Sequence, residues 1–519
     1  MKRNIDTLKD ERFDLLILGG GITGAGVALD ATLRGYRVAL IDKGDFASGT
    51  SSVSSKLVHG GLRYLEHANF HLVYEALHER RLLLENASPF VRPLRFVIPF
   101  YQGSRMPAWK ARAGLVLYDL LAGASNLHRS RPLSLKEVQA DFPQLRADQL
   151  LGGAEYFDAQ MDDARLCLNV IRTAALQGAR IANYVEAVAF EKRDGKITGV
   201  RARDQVGGSD FIIHARQILN ATGPWVDAVM RMADVAASFQ LADAGQVGNL
   251  PPPEPLLQPT KGVHLIVPER QTKGALLLLH PADGRVFFVI PWMQKTLIGT
   301  TDTVTQESPD SLVVTTEEID YLLQGVNHYF TPSLQGRDVL GTFAGLRPLM
   351  RSRPGNPSSL SREYRVVESP SGLISVAGGK YTTFRRMAEV ITDTVAHRLG
   401  RRGPCQTRTF VLDGALLPGA ESFDREIKDL RHNFPALDDR SATHLVSRYG
   451  WRAREVAAYV DQDAKSRDRI LASEPDLCGE LAYQRDHEMA IYPSDHWLRR
   501  TRLGLVHHEV LQTPPPGIT

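Results

Sequence analysis

The chain has 519 residues, which is longer than one hydrophobic core usually supports, so two or three domains are expected. Its composition, 43% hydrophobic and 23% charged, is typical of a soluble globular protein, and its net charge of +3 argues against a dedicated nucleic-acid-binding protein. The three cysteines (Cys167, Cys405 and Cys478) are far apart, so they predict neither a disulfide framework nor a metal cluster. We therefore expect no metal site and no nucleic-acid partner.

The chain shows no sign of export or of membrane insertion. Its first residues, MKRNIDTLKDERFD, are polar and lead directly into an apolar segment, so they lack a signal-peptide core. No uncharged apolar run reaches about 18 residues, the length that a spanning helix needs. We expect a cytoplasmic protein in a reducing compartment.

The most informative segment, residues 13–42, reads FDLLILGGGITGAGVALDATLRGYRVALID. An apolar run comes first, then Gly19, Gly21 and Gly24, a helix-like stretch, and a second apolar run that ends at Asp42. This order predicts a dinucleotide site. A pyrophosphate approaches the backbone at Gly21 and faces the helix N-terminus, and Asp42 accepts hydrogen bonds from the adenosine ribose. The pattern by itself leaves NAD and FAD open.

The nucleotide-binding pattern continues in two distant segments. The strand QILN breaks into Ala221-Thr222-Gly223, and an apolar strand at 373–377 ends in the glycine turn GGKYTT before a helix. Between them, residues 240–375 contain the runs VHLIVP, ALLLLH, RVFFVIPW and TLIGTTD, which predict a separate, mostly antiparallel sheet. A nicotinamide enzyme usually keeps its Rossmann unit in one block, so this interrupted layout favours FAD.

Several local structures can also be predicted. An amphipathic helix is expected over Phe70–Glu85, and Asp162 is a candidate N-cap of another helix. Arg180–Glu191 and Lys196–Arg203 are expected to pair as strands around the Asp194–Gly195 turn. Beyond about residue 409 the pattern is helical and charged.

Residues 102–132 form a basic segment, with five basic residues against one acid, Asp119. Apolar residues recur within it at helical spacing: Trp109, Ala113, Val116, Leu117, Leu120 and Leu121. An apolar stripe with basic flanks is typical of a helix that lies at an anionic lipid surface. The alternative is a core-facing helix with a solvated edge.

The ordered motifs along the chain resemble those of the FAD-dependent glycerol-3-phosphate dehydrogenases of the bacterial aerobic type. These motifs are GGGITGAGVALDA (19–31), TSSVSSKLVHGGLRYLEH (50–67), MDDARL (161–166), NATGPWVD (220–227), KGVHLIVP (261–268), FFVIPWMQKTLIGTTDT (287–303), GLRPL (345–349) and GGKYTTFRRMAE (378–389). The resemblance covers residues 13–390 and extends more loosely through DHWLRRTRLGL (495–505). Many relatives carry Glu where this chain has Asp42, a change that should be tolerated.

The resemblance implies a multidomain protein of α/β and α+β class. A discontinuous Rossmann-type FAD-binding domain is expected over residues 1–90, 150–230 and 370–400. An antiparallel β-sheet substrate domain, over residues 91–149 and 231–369, is expected to be inserted into it. A C-terminal α-helical domain is expected over residues 408–519.

The resemblance also implies which residues contact FAD. The turn 378–383 would direct backbone N–H groups at the flavin's N1–C2=O edge, where negative charge gathers on reduction. The alternative for this turn is an ordinary N-capped helix start. Judged without the resemblance, the serines of residues 51–55 are equally a solvated turn. The implied contacts are Gly19, Gly21, Ile22, Thr23, Gly24, Asp42, Lys43, Thr50, Ser51, Ser52, Ser55, Lys56, His59, Gly60, Gly61, Ala221, Thr222, Gly223, Gly379, Lys380, Tyr381 and Thr382.

An enzyme that oxidises glycerol 3-phosphate needs cationic side chains that bind its dianionic phosphate. A guanidinium can donate two parallel hydrogen bonds to phosphate oxygens. The expected substrate-binding residues are Arg63, Tyr64, His264, Arg347, Arg362 and Lys380. Arg347 lies in the apolar run AGLRPL, where the alternative role is a salt bridge with an unidentified carboxylate. The alternative for Arg362 is a position on an ordinary exposed strand, SREYRV.

His264 and Arg347 are the expected catalytic residues. His264 lies on an apolar strand, where most histidines are satisfied core residues, but the family match makes it the leading candidate for the base that takes the C2 hydroxyl proton. His59 is the rival, although its glycine-rich loop indicates flavin contact.

The expected electron acceptor is a membrane quinone, which the protein would reach from an anionic lipid surface at the inner face of the cytoplasmic membrane. A homodimer is also compatible with the sequence. Two alternatives stay open at this point. The first is a glycerol-3-phosphate oxidase that uses O₂, although such relatives typically carry an insertion that is not seen here. The second is a non-catalytic flavoprotein.

Overall fold

The structure is a computed structural model that describes residues 1–242, 255–351, 364–400 and 403–512. Its strands are β1 Arg12–Leu18, β2 Val38–Ile41, β3 Leu57–Val58, β4 Val91–Tyr101, β5 Arg131–Leu133, β6 Leu150–Met161, β7 Arg180–Ala182, β8 Val185–Arg193, β9 Lys196–Asp204, β10 Asp210–Asn220, β11 Thr260–Pro268, β12 Ala275–Leu279, β13 Val286–Trp292, β14 Lys295–Gly299, β15 Thr303–Val304, β16 Gly341–Arg347, β17 Tyr364–Glu368 and β18 Ile374–Gly378.

The α-helices alternate with these strands at first and dominate the C-terminal part of the chain. They are α1 Ile5–Asp10, α2 Ile22–Leu33, α3 Phe70–Asn86, α4 Ala108–Ala122, α5 Leu135–Asp141, α6 Asp163–Leu176, α7 Val226–Ala242, α8 Thr316–Tyr329, α9 Phe384–Leu399, α10 Ala420–Asn433, α11 Asp439–Tyr449, α12 Ala453–Val460, α13 Ala464–Arg467, α14 Cys478–Glu488 and α15 Pro493–Asp495. A π-helical segment, His496–Arg500, follows α15.

The first sheet has the order β17-β18-β10-β1-β2-β7, and β8 and β9 extend it from β10. Its centre is parallel, because β18, β10, β1, β2 and β7 run in one direction. The apolar run of β1 is buried on both faces, as expected of a central parallel strand between helices. Helices α2, α6 and α9 pack together on one face and enclose the largest apolar cluster. The sheet is the Rossmann-like part of the fold.

The second sheet is mostly antiparallel and has the order β15-β11-β14-β13-β12-β4-β6-β3. β16 pairs with β11, and β5 pairs with β6. Its long strand pair, β4 and β6, is separated in the sequence from β11–β16, so the sheet is assembled from two distant segments. β6 therefore lies in the second sheet, although it falls within the range 150–230 that was predicted for the nucleotide domain.

Most of the predicted local structures are confirmed. α3 covers the predicted amphipathic helix, and Asp162 caps α6 by accepting a hydrogen bond from Arg165 N at 3.1 Å. The prediction of a single strand over Arg180–Glu191 is wrong. Tyr184 takes a left-handed φ of 55° there, and the chain splits into β7, which pairs with β2, and β8, which pairs with β9.

α4 shows two different apolar faces. Ala111, Leu115, Tyr118 and Ala122 are buried against the protein. In the stripe noted in the sequence, Trp109 and Leu120 are each 72% exposed and Val116 is 58% exposed. Leu117 and Leu121 of the same stripe are half-buried. The helix therefore packs one side on the core, as the core-facing alternative expects, and exposes apolar side chains on the other side. Among the residues described, no helix combines the length and apolar character needed to cross a bilayer.

Candidate functional site

A cavity of about 500 Å³ is lined by residues of both sheets. One wall consists of the carboxyl ends of β1, β2, β10 and β18, where Gly19, Asp42, Ala221 and Gly379 follow their strands. Open parallel sheets bind ligands at this edge. The opposite wall includes side chains of β11 and β16 in the second sheet.

The glycine loop between β1 and α2 is closely packed. A Cβ on Gly24 would lie 1.9 Å from the carbonyl oxygen of Gly19, so the helix can approach the strand only with glycine at this position. Gly21 is the N-cap of α2, it provides no side-chain cap, and the first turn contains no acid. Such a helix N-terminus is suited to a phosphate group.

Asp42 stands at the end of β2 and is held by the backbone. Its Oδ2 accepts a hydrogen bond from Gly20 N at 2.6 Å, and its Oδ1 accepts one from Gly44 N at 2.8 Å. Burial raises the pKa of Asp42 to about 6, although these two N–H groups oppose the shift. The carboxylate is therefore oriented as an acceptor beside the phosphate-binding turn.

His264 projects from β11 and is 2% exposed. Its imidazole stacks on Phe343 at 4.8 Å, and its Nε2 is 2.8 Å from Ser55 Oγ. A Cβ on Gly299 of β14 would lie 2.2 Å from the ring, so the absence of a side chain there makes room for the imidazole. Burial, followed by the charges of Arg347 and Lys56, lowers the pKa of His264 well below its usual value. The ring is neutral at neutral pH.

Three basic side chains converge on Tyr64 within the cavity. Lys380 Nζ lies 3.9 Å from the centre of the Tyr64 ring, and the Arg63 guanidinium lies 5.5 Å from it. Arg347 interacts electrostatically with both Arg63 and Tyr64. Burial raises the pKa of Tyr64, so its hydroxyl stays protonated as a hydrogen-bond donor. Because like charges repel, this cluster is suited to a multiply charged anion.

Arg347 also has the carboxylate partner that the sequence left unidentified. Its Nη1 lies 3.1 Å from Asp302 Oδ1, and its Nη2 donates to Thr300 Oγ1 at 3.1 Å and to Thr301 O at 3.0 Å. Burial lowers the pKa of Arg347, and Asp302 partly opposes this shift. These contacts use three of the five guanidinium N–H groups and orient the side chain. Arg347 therefore both forms a salt bridge with Asp302 and lines the cavity.

Comparison with known proteins agrees with this geometry. Residues 14–392 match the family described as FAD dependent oxidoreductase, and residues 405–516 match the C-terminal domain of alpha-glycerophosphate oxidase. The aerobic glycerol-3-phosphate dehydrogenase of Staphylococcus saprophyticus is 35% identical over 95% of this chain and 87% of its own length. The mitochondrial glycerol-3-phosphate dehydrogenase of Macaca fascicularis is 37% identical over 98% of this chain and 69% of its own.

A solved structure shows the same relationship. The glycerol-3-phosphate dehydrogenase from Bacillus halodurans, complexed with FAD, superposes with a TM-score of 0.78 at 31% identity. The alignment covers 98% of this chain and 89% of that one. This chain belongs to the FAD-dependent glycerol-3-phosphate dehydrogenases. The predicted cofactor, FAD, is thereby confirmed.

The residues present fit FAD. The glycine loop and the α2 N-terminus are suited to its pyrophosphate, and the Asp42 carboxylate is suited to accept hydrogen bonds from its ribose. At the flavin end, Thr383 is the N-cap of α9, it makes no side-chain cap hydrogen bond, and the first turn of α9 contains no acid. That helix N-terminus is suited to the electron-rich edge of the reduced ring.

The structure brings most of the predicted FAD contacts into the cavity wall. The residues of that set that line it are Gly19, Gly21, Ile22, Thr23, Asp42, Lys43, Thr50, Ser51, Ser55, His59, Gly61, Ala221, Thr222, Gly223, Gly379, Lys380, Tyr381 and Thr382. Of the predicted substrate-binding residues, Arg63, Tyr64, His264, Arg347 and Lys380 line the same cavity. Arg362 lies outside the described residues.

Four predicted FAD contacts lie behind the wall. Gly24 packs on Gly19, and a Cβ on Gly60 would lie 2.4 Å from the Tyr118 hydroxyl. Lys56 is completely buried and turns toward Asp163. The carbonyl oxygen of Ser52 accepts a hydrogen bond from Lys56 Nζ at 2.6 Å. These residues shape or support the cavity wall rather than line it.

Sequence reasoning missed several residues of the site. Thr300 lines the cavity, and Asp302 orients Arg347. Both belong to the motif TLIGTTDT, which the sequence pattern predicts as a strand. The carboxylate of Asp302 was the only sign that this motif contributes to the site. Trp225 also lines the wall and donates from Nε1 to Asp310 at 3.0 Å. Nothing in the sequence distinguished this tryptophan from a core aromatic residue.

Substitution Asp42→Asn is expected to weaken FAD binding. The charged acceptor for the ribose is lost, and such hydrogen bonds contribute about 1.5–3 kcal/mol, so the Kd should rise about 10–100-fold. In the wild type, affinity should fall as the pH drops through about 6, because Asp42 is protonated below that value. Flavin fluorescence during titration of the apoprotein measures both effects. Asp14→Asn, at the opposite end of β1, is the control, and an equal loss there would contradict the assignment.

Proposed function

We propose that the protein oxidises glycerol 3-phosphate to dihydroxyacetone phosphate and passes the electrons to a membrane quinone. The observation that carries the substrate assignment is the convergence of Arg63, Arg347 and Lys380 on Tyr64, beside the buried imidazole of His264. A dianionic phosphate offsets the mutual repulsion of three cations, and guanidinium groups match its oxygens. The names of the related proteins agree with this substrate.

The reaction removes a hydride and a proton from C2 and its hydroxyl group. Bound FAD supplies the hydride acceptor. In the proposed arrangement, the cationic cluster holds the phosphate, and His264 Nε2 takes the hydroxyl proton as the carbonyl bond forms. The low pKa of His264 keeps the ring neutral, so one of its two nitrogens is free of a proton. Ser55 Oγ lies 2.8 Å from Nε2, and the substrate hydroxyl would take its place there.

The outward face of α4 supports a quinone as the acceptor. Trp109, Val116 and Leu120 are exposed there, and Lys110 and Arg112 lie among them with exposed side chains. Helices with an exposed apolar face and basic residues lie in the interface of anionic membranes, next to the apolar interior that dissolves quinones. We place the protein at the inner face of the cytoplasmic membrane.

A direct assay separates the two electron acceptors. We expect purified holoprotein, supplied with glycerol 3-phosphate in air, to reduce a short-chain quinone faster than it forms peroxide. Parallel measurements of quinone absorbance and of peroxide give both rates. Stoichiometric peroxide without an added acceptor would contradict the quinone assignment and identify an oxidase.

Replacing Trp109, Lys110 and Arg112 with alanine should reduce binding to anionic liposomes. Each basic residue near such a surface contributes about 1 kcal/mol, so loss of two charges corresponds to about a 30-fold weaker partition before the tryptophan is counted. Flotation of the holoprotein with liposomes of anionic and of neutral lipid measures the effect. The control replaces Arg193 and Lys196, two exposed basic residues beside the β8–β9 turn, with alanine. Unchanged flotation of the α4 variant would refute this placement.

A further inference from the structure

The serine loop, residues Thr50–Lys56, forms hydrogen bonds with three parts of the cavity wall. Ile22 N, in the first turn of α2, donates to Ser51 Oγ at 2.9 Å. Thr50 Oγ1 donates to the carbonyl oxygen of Leu346, the neighbour of Arg347, at 2.7 Å. Ser55 Oγ lies 2.8 Å from Nε2 of His264. The position of this one loop therefore affects the pyrophosphate site, the strand of Arg347 and the imidazole together.

Asp163, at the start of α6, holds the serine loop from the side away from the cavity. Its Oδ2 accepts hydrogen bonds from Ser54 N at 2.9 Å and from Ser54 Oγ at 2.7 Å. Lys56 Nζ lies 2.8 Å from both of its oxygens and also donates to Ser52 O at 2.6 Å. The aspartate therefore fixes both the middle and the end of the loop.

Arg502 completes this network from the C-terminal part of the chain. Its Nη2 forms ion pairs with Asp163 and, at 2.7 Å, with Asp162, and its Nη1 donates to Ser52 O at 3.2 Å. It belongs to the run DHWLRRTRLGL, a motif that FAD and substrate contacts leave unexplained. The neighbouring Arg499 and Arg500 instead pair with Asp45.

This network is almost completely buried. The side chains of Lys56 and Asp163 are 0% exposed, and that of Arg502 is 1% exposed. Desolvation of buried ions offsets much of their attraction, and apolar side chains of similar volume often stabilise a protein as well or better. Buried ions do fix directions, because each charged hydrogen bond has a defined geometry.

The network also reaches the imidazole by a second route. Lys56 Nζ lies 4.9 Å from the centre of the Phe343 ring, and Phe343 stacks on His264 with ring centres 4.8 Å apart. Ser55 fixes the Nε2 edge of the imidazole, while Phe343 fixes its face. Both contacts depend on where Asp163 and Arg502 place the serine loop and Lys56.

We propose that Arg502 is a positioning residue for proton transfer: through Asp163 it fixes the serine loop, so that Ser55 and Phe343 hold the His264 imidazole in the orientation in which the substrate hydroxyl then replaces Ser55 at Nε2. The C-terminal domain thus contributes to the active site without lining it. This inference rests on the proposed function, in which His264 is the proton acceptor.

The test compares the holoprotein variants Arg502→Gln and Arg172→Gln. Arg172 is a matched control, because it also lies on the boundary between α6 and the C-terminal part, is nearly buried, and donates to Asp413 at 2.7 Å and to His487 O at 2.6 Å, far along α6 from Asp163. Hydrogen exchange of peptides that cover residues 50–56 is measured without substrate. Dye-coupled turnover of glycerol 3-phosphate then gives kcat and KM.

We expect Arg502→Gln to accelerate exchange in the serine loop and to lower kcat about 10–100-fold, the scale of a small misplacement of a reacting group. KM should stay within about threefold, because the network bonds to Ser52, Ser54 and Lys56 and not to Thr50, the residue that contacts the strand of Arg347. Arg502→Lys should restore most of kcat. In a Ser55→Ala background, Arg502→Gln should lower kcat by a smaller factor than in the wild type, because one of its two routes to the imidazole is already lost.

Two results would overturn the proposal. The first is that Arg502→Gln and Arg172→Gln have the same hydrogen-exchange rates in the serine loop and the same kcat. The second is that the fold-losses in kcat caused by Arg502→Gln and by Ser55→Ala multiply in the double variant. If Arg502→Gln does not fold, Asp163→Asn combined with Ser55→Ala gives the same cycle, because Asp163 is the link between Arg502 and the serine loop. A wild type whose flavin stays oxidised in anaerobic glycerol 3-phosphate would overturn the proposed function instead, and that outcome is distinct from either result above.

Discussion

His264→Gln should lower kcat by about 10²–10⁴-fold while the protein keeps its FAD, because a positioned general base contributes on that scale. Glutamine places a polar atom near the position of Nε2 and can still bond to Ser55, but it cannot take a proton. In the wild type, the low pKa of His264 keeps the base unprotonated, so kcat/KM should hold down to about pH 6.5 and fall only in more acid solution. Dye-coupled rates as a function of pH, normalised to bound flavin, measure both effects.

His280→Gln is the matched control for this experiment. His280 is also buried in the second sheet, at 1% exposure, and its Nε2 lies 2.8 Å from Tyr321 O, outside the cavity wall. We expect near-normal turnover from this variant once its folded fraction is taken into account. Turnover within about threefold of the wild type in His264→Gln would show that another group takes the proton, and His59 would then be the first residue to examine.

Arg347→Ala should lower kcat/KM by about 10²–10⁴-fold, mainly through a higher KM. A guanidinium that donates two charge-assisted hydrogen bonds to a phosphate contributes about 3–6 kcal/mol, since each such bond contributes about 1.5–3 kcal/mol. The variant also leaves Asp302 without its cationic partner 3.1 Å away, which adds repulsion against the substrate. Initial rates over a wide range of glycerol 3-phosphate concentration separate KM from kcat.

Arg270→Ala serves as the control for Arg347. Arg270 follows the opposite end of β11, is 8% exposed, and donates to Gln144 and to Pro332 O at 3.3 and 3.2 Å. Its loss should affect stability but leave KM unchanged. An Arg347→Ala variant with a KM within about threefold of the wild type would mean that Arg347 serves the sheet through Asp302 and does not bind the phosphate.

Much of the nucleotide site could be predicted from the sequence because its signals are local. The glycines at 19, 21 and 24 and the acid at 42 are placed by one βαβ unit, whose geometry depends on nearby residues. The ends of β10 and β18 could be recognised because glycine turns follow apolar strands there. Parallel pairing of these strands then brings the three distant segments to one edge of the sheet.

The parts that could not be predicted depend on long-range pairing. Asp302 contacts Arg347 because β15, which begins just after Asp302, and β16, which ends at Arg347, both pair with the start of β11. No local pattern in the sequence specifies this register. Arg502 meets Asp163 across 339 residues of sequence. The outward orientation of Trp109 on α4 was also undecided, because an apolar stripe has the same spacing whether it faces a core or a membrane.

The central claim is that FAD and glycerol 3-phosphate react in this cavity, with His264 as the proton acceptor. Anaerobic titration of the holoprotein with glycerol 3-phosphate, followed by flavin absorbance, tests it most directly because no electron acceptor is involved. We predict that the oxidised flavin band bleaches stoichiometrically in the wild type and in His280→Gln, and that bleaching is slowed about 10²–10⁴-fold in His264→Gln. A flavin that stays oxidised in the wild type, or that bleaches equally fast in His264→Gln, would contradict the account.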